Sequence, residues 1–203
     1  MAGMRWTIPN TLTVLRLLAA PGVALMFLYF HRPQADWYAL ALFIIAAATD
    51  YFDGYLARLW KQESKFGTMM DPIADKAMVV IAIVVITGYS GVKPWLLLPA
   101  TVILFREVFV SGLREFLGKN AGLLKVTKLA KWKTTAQMIA IAVLFLGTGL
   151  AYVEEGSGAA PMWAAEAATF VGIVLIWIAA GLTAITGVDY YIKALPYLRD
   201  DAK

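Results

Sequence analysis

Cysteine is absent from the sequence, and histidine occurs once, as His31. The first absence excludes a disulfide framework and any thiolate metal site. His31 sits beside Arg32 and Pro33 in a connection between apolar runs, and no role is expected of it. Charge is scarce too: Asp, Glu, Lys and Arg together make up 16% of the 203 residues. No long polar stretch stands apart from the rest, so no water-soluble domain is expected. A net charge of +4 is modest, and nucleic acid is not expected as a partner. Internal repeats are also missing, which weighs against an inverted-repeat transporter.

What remains is apolar. The sequence is 61% hydrophobic, its mean hydropathy is +0.69, and several apolar runs approach ~20 residues, the length that crosses a bilayer. This predicts an all-α integral membrane protein with a single domain over residues 1–203. Six transmembrane helices are expected at roughly 12–30, 37–59, 72–89, 94–117, 133–152 and 163–195. Residues 1–9, with Met4, Trp6, Ile8 and Pro9 around Arg5, suit a short interfacial segment ahead of them. The run from Leu12 to Phe30 is long for a signal peptide, contains Arg16 and lacks a clear small-residue cleavage site, so it is expected to remain as a span. The last run exceeds what a bilayer needs and should continue into the interface. Abundant Ala and Gly favour close helix packing. Trp6, Trp37, Trp60, Trp95, Trp132 and Trp163 fall near span ends, as an aromatic belt does.

Lys and Arg set the expected orientation. One set of loops and ends collects Arg5, Arg58, Lys61, Lys65, Arg114, Lys119, Lys125, Lys128, Lys131, Lys133, Lys193, Arg199 and Lys203. The opposite loops hold Arg32 and Lys93, with Glu154 and Glu155 in the connection over 147–158. Both termini are therefore expected in the cytoplasm.

Against this background four aspartates stand out at span edges: Asp50, Asp53, Asp71 and Asp75. An unpaired carboxylate is expensive at such a position. Asp50 and Asp53 are three apart and Asp71 and Asp75 four apart, so each pair shares a helix face. Pro72 suits a first helical turn, which predicts Asp71 as an N-cap. Two such helices would direct four carboxylates into one cytoplasmic cleft. They cannot all stay ionised without cations between them. Carboxylate oxygens suit magnesium or manganese, and the surplus of charge suggests two ions. The bland alternative is capping, hydration, or a simple pair between Asp53 and Arg58.

The pattern D-x-x-D-G-x-x-A-R, then G-x-x-x-D-x-x-x-D, runs through Asp50, Asp53, Gly54, Ala57, Arg58, Gly67, Asp71 and Asp75. It resembles the signature of the CDP-alcohol phosphotransferase family. That resemblance implies six transmembrane helices with the active site at their cytoplasmic end, attack of a hydroxyl on a CDP-linked lipid, and departure of CMP. It implies that the four aspartates bind the two metal ions and that Asp75 also takes the proton of the attacking hydroxyl. Gly54 and Ala57 would stay small so that the nucleotide can lie against the helix. Arg58 would fork onto a phosphate oxygen. Gly67 would permit a tight approach or a bend. A homodimer is implied as well.

A second constellation bears on the acceptor. Arg106 and Glu107 lie within the fourth span, followed by Ser111 and Arg114; Lys125, Lys128, Lys131, Lys133 and Gln137 come next. Arg106 and Arg114 are eight apart and could reach one cleft from one helix. Such cations suit an acceptor that carries its own phosphate. Their ordinary alternative is positive-inside topology and attraction to anionic lipid. With the opening Pro9-Asn10-Thr11-Leu12-Thr13 and Arg16, these stretches resemble the branch of the family that uses glycerol 3-phosphate. In that resemblance Arg106, Arg114, Lys125, Lys128 and Lys133 hold the acceptor phosphate, while Asn10, Thr13 and Arg16 line the CDP-diacylglycerol side. Glu107 could order the arginines, and Lys76 could offset carboxylate charge or snorkel to the surface. The alternatives within this chemistry are inositol phosphate, or phosphatidylglycerol as in a cardiolipin synthase. A cation transporter is the rival from another class, but it would need carboxylates near the bilayer midplane.

Overall fold

The computed structural model describes residues 7–60, 62, 64–118, 128–157 and 161–198, and within these the side chains of Tyr51, Leu56, Arg58, Ser157 and residues 128–131 lie outside the description. All six elements are helices: α1 (Ile8–Tyr29), α2 (Gln34–Leu59), α3 (Lys65–Tyr89), α4 (Pro94–Leu117), α5 (Lys128–Ser157) and α6 (Met162–Leu198). Five of them contain segments long and apolar enough to cross a membrane: Ile8–Tyr29, Gln34–Tyr55, Pro94–Leu117, Trp132–Gly156 and Met162–Leu198. The remaining one, α3, carries Asp71, Asp75 and Lys76 in its first half and an uncharged run from Ala77 to Tyr89 after them.

Two helix starts differ from expectation. Thr7 caps α1, its side chain accepting from the Asn10 backbone N–H at 3.4 Å, and Pro9 occupies the first turn, where no N–H is needed. Ile8 and Pro9 thus belong to α1 rather than to an interfacial segment; residues 1–6 lie outside the described residues. At α3 the cap is Ser64, whose Oγ accepts from the Gly67 N–H at 3.0 Å. Asp71 is therefore not an N-cap, and Pro72 lies inside the helix. A stronger start signal upstream overrides the proline, which removes one hydrogen bond. As expected, α6 outruns the bilayer: 37 residues at ~1.5 Å each greatly exceed a ~30 Å hydrocarbon core.

Helix α1 packs on α2 and α3, α5 packs on α6 and α2, and α4 packs on α6. The shared core includes Val23, Phe43, Met78, Ile103, Ile141, Phe145 and Ile176, all nearly inaccessible. Small residues set the α5–α6 distance. A Cβ on Gly172 would lie 2.8 Å from the Leu144 side chain, and one on Gly147 would lie 2.8 Å from Thr169 Oγ1. The outer faces carry Leu18, Phe105, Val108, Phe116 and Phe170, all exposed, as helices bathed in lipid would. Odd-numbered helices begin, and even-numbered helices end, at one end of the bundle. That end holds the charged residues described next. At the other end Arg32 forks onto the fully buried Asp36 at 2.7 and 2.6 Å and donates to the Thr148 carbonyl at 3.3 Å, tying the start of α2 to α5.

Candidate active site

The four aspartates do converge, and the centre of the cluster is a guanidinium. From α1, Arg16 donates through Nη2 to Asp53 at 2.7 Å and through Nη1 to Asp50 and, at 2.6 Å, to Asp75. Asp71 lies 3.6 Å from Nη2. The Arg16 side chain is only 1% exposed, and a buried guanidinium needs such partners. Thr13, one helical turn before it, donates its hydroxyl to Asp71 at 2.8 Å and also approaches Asp53 at 3.4 Å. The last turns of α2 supply Asp50 and Asp53, and the early turns of α3 supply Asp71 and Asp75, so a single short connection sets the cluster. Asp53 is buried; the other three side chains are 36–44% exposed and look outward. Asp53 pairs with Arg16; the simple pair of Asp53 with Arg58 rests on a side chain that lies outside the described residues.

A cleft of about 290 Å³ opens on one side of the aspartates. Asn10, Thr13, Gly54, Ala57 and Gly67 line it together with Asp53 and Asp71. Gly67 is where α3 meets α1: a Cβ there would stand 3.0 Å from Asn10 Oδ1, which in turn accepts from Ser64 Oγ at 2.7 Å. The glycine thus permits a close approach within a regular helix start, not a bend.

A second cleft, about 240 Å³, opens on the other side. Asp75 forms part of its wall, with Arg106, Arg114, Lys133, Lys76 and Glu107. Glu107 accepts from Lys133 Nζ and, at 3.4 Å, from Arg106, so it orders two of the cations. Arg106 lies with its guanidinium carbon 5.7 Å from the centre of the Tyr190 ring, a cation–π contact. Its stem passes α6 at Gly187, where a Cβ would sit 3.0 Å from Arg106 Cγ. Lys76 donates to Ser111 Oγ at 2.6 Å, and among the described residues it makes no ion pair with a carboxylate. Arg114 is exposed at the rim. Lys125 lies outside the described residues, as do the side chains of Lys128 and Lys131.

Among the described residues no three acidic or histidine side chains stand as a ready-made metal group, because the carboxylates are turned onto Arg16. Their chemistry nonetheless fits a hard cation: all four offer oxygen, they already gather round one positive group, and one guanidinium cannot neutralise four carboxylates. A divalent ion would compete with Arg16 for these oxygens.

Several residues of this site escaped the sequence patterns. Arg16 was visible as a charge in an apolar run, but its meeting with all four aspartates depends on how α1 packs. Ser64 carried a capping signal that Pro72 obscured. Tyr190 and Gly187 come from α6, far along the chain, and no local pattern connects them to Arg106.

The sequence profile of the CDP-alcohol phosphatidyltransferase family matches residues 6–185. A curated relative from Cereibacter sphaeroides is 69% identical over 98% of this chain and 100% of its own length. Relatives from Rickettsia bellii and Shigella flexneri serotype 5b are 41% and 37% identical, covering 94% and 97% of this chain and 96% and 100% of their own lengths. All three are named CDP-diacylglycerol–glycerol-3-phosphate 3-phosphatidyltransferase.

Proposed function

The chain belongs to the CDP-alcohol phosphatidyltransferase family, and on that premise we propose that it transfers the phosphatidyl group of CDP-diacylglycerol to glycerol 3-phosphate, giving phosphatidylglycerol phosphate and CMP. The observation that carries this is the placement of four carboxylates between two clefts, one lined by small and amide or hydroxyl residues and the other by cations. The first suits a nucleotide; the second suits a small acceptor with a phosphate of its own. The shared name of the relatives favours glycerol 3-phosphate over inositol phosphate or phosphatidylglycerol. Asp53 and Asp71 lie toward the facing ends of α2 and α3, while Asp75, the eleventh of the 25 residues of α3, lies near its middle.

In this mechanism Asn10, Thr13, Gly54, Ala57 and Gly67 seat the CDP moiety, with Arg58 on a phosphate oxygen. Arg106, Arg114 and Lys133, together with Lys125 and Lys128, hold the acceptor phosphate. The terminal hydroxyl of the acceptor attacks the phosphorus that bears diacylglycerol. The bond from that phosphorus to the bridging oxygen breaks, and CMP departs with the bond's electrons. Asp75, common to the cluster and the acceptor cleft, accepts the hydroxyl proton. Divalent cations are in general use in the family; Asp50, Asp53, Asp71 and Asp75 would hold magnesium or manganese, as a pair, and the ions would offset charge on the pyrophosphate and the leaving group. We place the site and both termini on the cytoplasmic side, following the loop charges. The working form is a homodimer in the membrane.

Purified protein should release CMP from CDP-diacylglycerol with magnesium when glycerol 3-phosphate is added, and form phosphatidylglycerol phosphate in equal amount. Release with inositol phosphate alone would move the acceptor assignment, and no release with either would reject the reaction.

A further inference from the structure

Among the described residues, two polar groups in the wall of the acceptor cleft have no hydrogen-bond partner. Gln137, from the early turns of α5, is 2% exposed, and its Oε1 accepts no hydrogen bond. Arg106 Nε, also buried there, donates none. A buried group left without a partner is costly, and native proteins rarely keep one without a use for it. The two needs are opposite: Arg106 Nε requires an acceptor atom, Gln137 Oε1 requires a donor. Around them the cleft offers cations, which donate, and Glu107, which is occupied by Lys133 and Arg106. Among the described residues no cation of that wall donates to Gln137 Oε1: Lys133 and Arg106 are turned onto Glu107, and Lys76 onto Ser111.

A ligand that completes this cleft must therefore bring an anionic oxygen and a hydroxyl on one small framework. Resting on the reaction proposed above, in which the terminal hydroxyl is consumed and the phosphate meets the cations, one hydroxyl of glycerol 3-phosphate is left over. We infer that Gln137 Oε1 accepts a hydrogen bond from this middle, non-reacting hydroxyl, and that Gln137 is a specificity residue for the acceptor. The contact orients the carbon chain so that the terminal hydroxyl faces Asp75, which lines the same cleft. An amide suits the task better than a carboxylate, because it accepts without opposing the phosphate. A site that hydrogen-bonds a substrate hydroxyl rejects the analogue lacking it, because its own buried group then stays unpaired.

The test compares two acceptors by CMP release in magnesium: glycerol 3-phosphate and 3-hydroxypropyl phosphate, which keeps the phosphate and terminal hydroxyl and lacks the middle one. The wild-type protein should prefer glycerol 3-phosphate in kcat/KM by about 10- to 100-fold. Gln137→Met, similar in size and without the oxygen, should bring the ratio to within about threefold, chiefly by lowering use of glycerol 3-phosphate. Gln137→Glu retains an acceptor oxygen and should keep the preference even if both reactions slow. Equal use of both acceptors by the wild-type protein would overturn the inference, as would an unchanged ratio in Gln137→Met or a lost preference in Gln137→Glu. Should Gln137→Met be inactive with both acceptors, the wild-type and Gln137→Glu ratios decide. Absence of CMP release by the wild-type protein with either acceptor is a different failure, which removes the proposed reaction itself.

Discussion

Asp75 differs from the other three aspartates in facing two ways: it takes a hydrogen bond from Arg16 at 2.6 Å and also forms part of the acceptor cleft. Asp50, Asp53 and Asp71 do not line that cleft. A carboxylate that must receive the hydroxyl proton has to reach the acceptor, and of the four only Asp75 does. Asp75→Asn keeps the shape and removes the base, so turnover should fall by about 100-fold or more at saturating magnesium, while the KM for CDP-diacylglycerol stays within a fewfold. Steady-state kinetics checks this; near-normal turnover would take the base role from Asp75. The eight-position pattern marked Asp75 as one of a set. The family resemblance also gave Asp75 the base role; its neighbourhood on α4 and α5, which no spacing in the sequence contains, is what supports that role geometrically.

At the scale of elements, α1 is joined to α2 and α3 through Arg16 more than through any cap or loop. Its guanidinium meets Asp50 and Asp53 on one helix and Asp71 and Asp75 on the other. Removing one partner from a buried ionic group is far more damaging than the pair is stabilising, because the remaining charges are left unscreened. Arg16→Met should therefore lower the melting temperature in chelator by about 5 °C or more. Added magnesium should restore more stability to this variant than to the wild type, since the ion would supply the missing positive charge. Thermal scans with and without chelator measure it, and equal magnesium responses would show that the carboxylates do not bind the ion where Arg16 sits. Most helix positions were legible, because apolar runs near the length of a bilayer leave few alternatives. Helix starts were less so: Pro72 read as a first-turn residue until Ser64 and Gly67 proved to form the cap one and a half to two turns earlier.

The molecule as a whole brings residues from all six helices to one end: α1, α2 and α3 for the carboxylate cluster and its nucleotide-side cleft, then α4 and α5 for the cationic side, with α6 contributing Tyr190. The aspartate signature was readable because its parts are near in sequence and fixed in spacing. The acceptor side was readable only as a set of cations. Its internal order, with Glu107 between Lys133 and Arg106 and with Gly187 making room for the arginine, arises from the packing of α4, α5 and α6. At the opposite end, Arg32, a loop charge by sequence, pairs with the fully buried Asp36 and fastens α2 to α5.

The central claim is that the carboxylate cluster separates a CDP-lipid side from an acceptor side. It is tested most directly by measuring the KM for both substrates in Arg106→Ala and Asn10→Ala. Arg106→Ala should raise the KM for glycerol 3-phosphate by about tenfold or more and leave that for CDP-diacylglycerol within about twofold. Asn10→Ala should do the reverse. A selective defect in CDP-diacylglycerol use by Arg106→Ala would contradict the division of the site on which the mechanism rests.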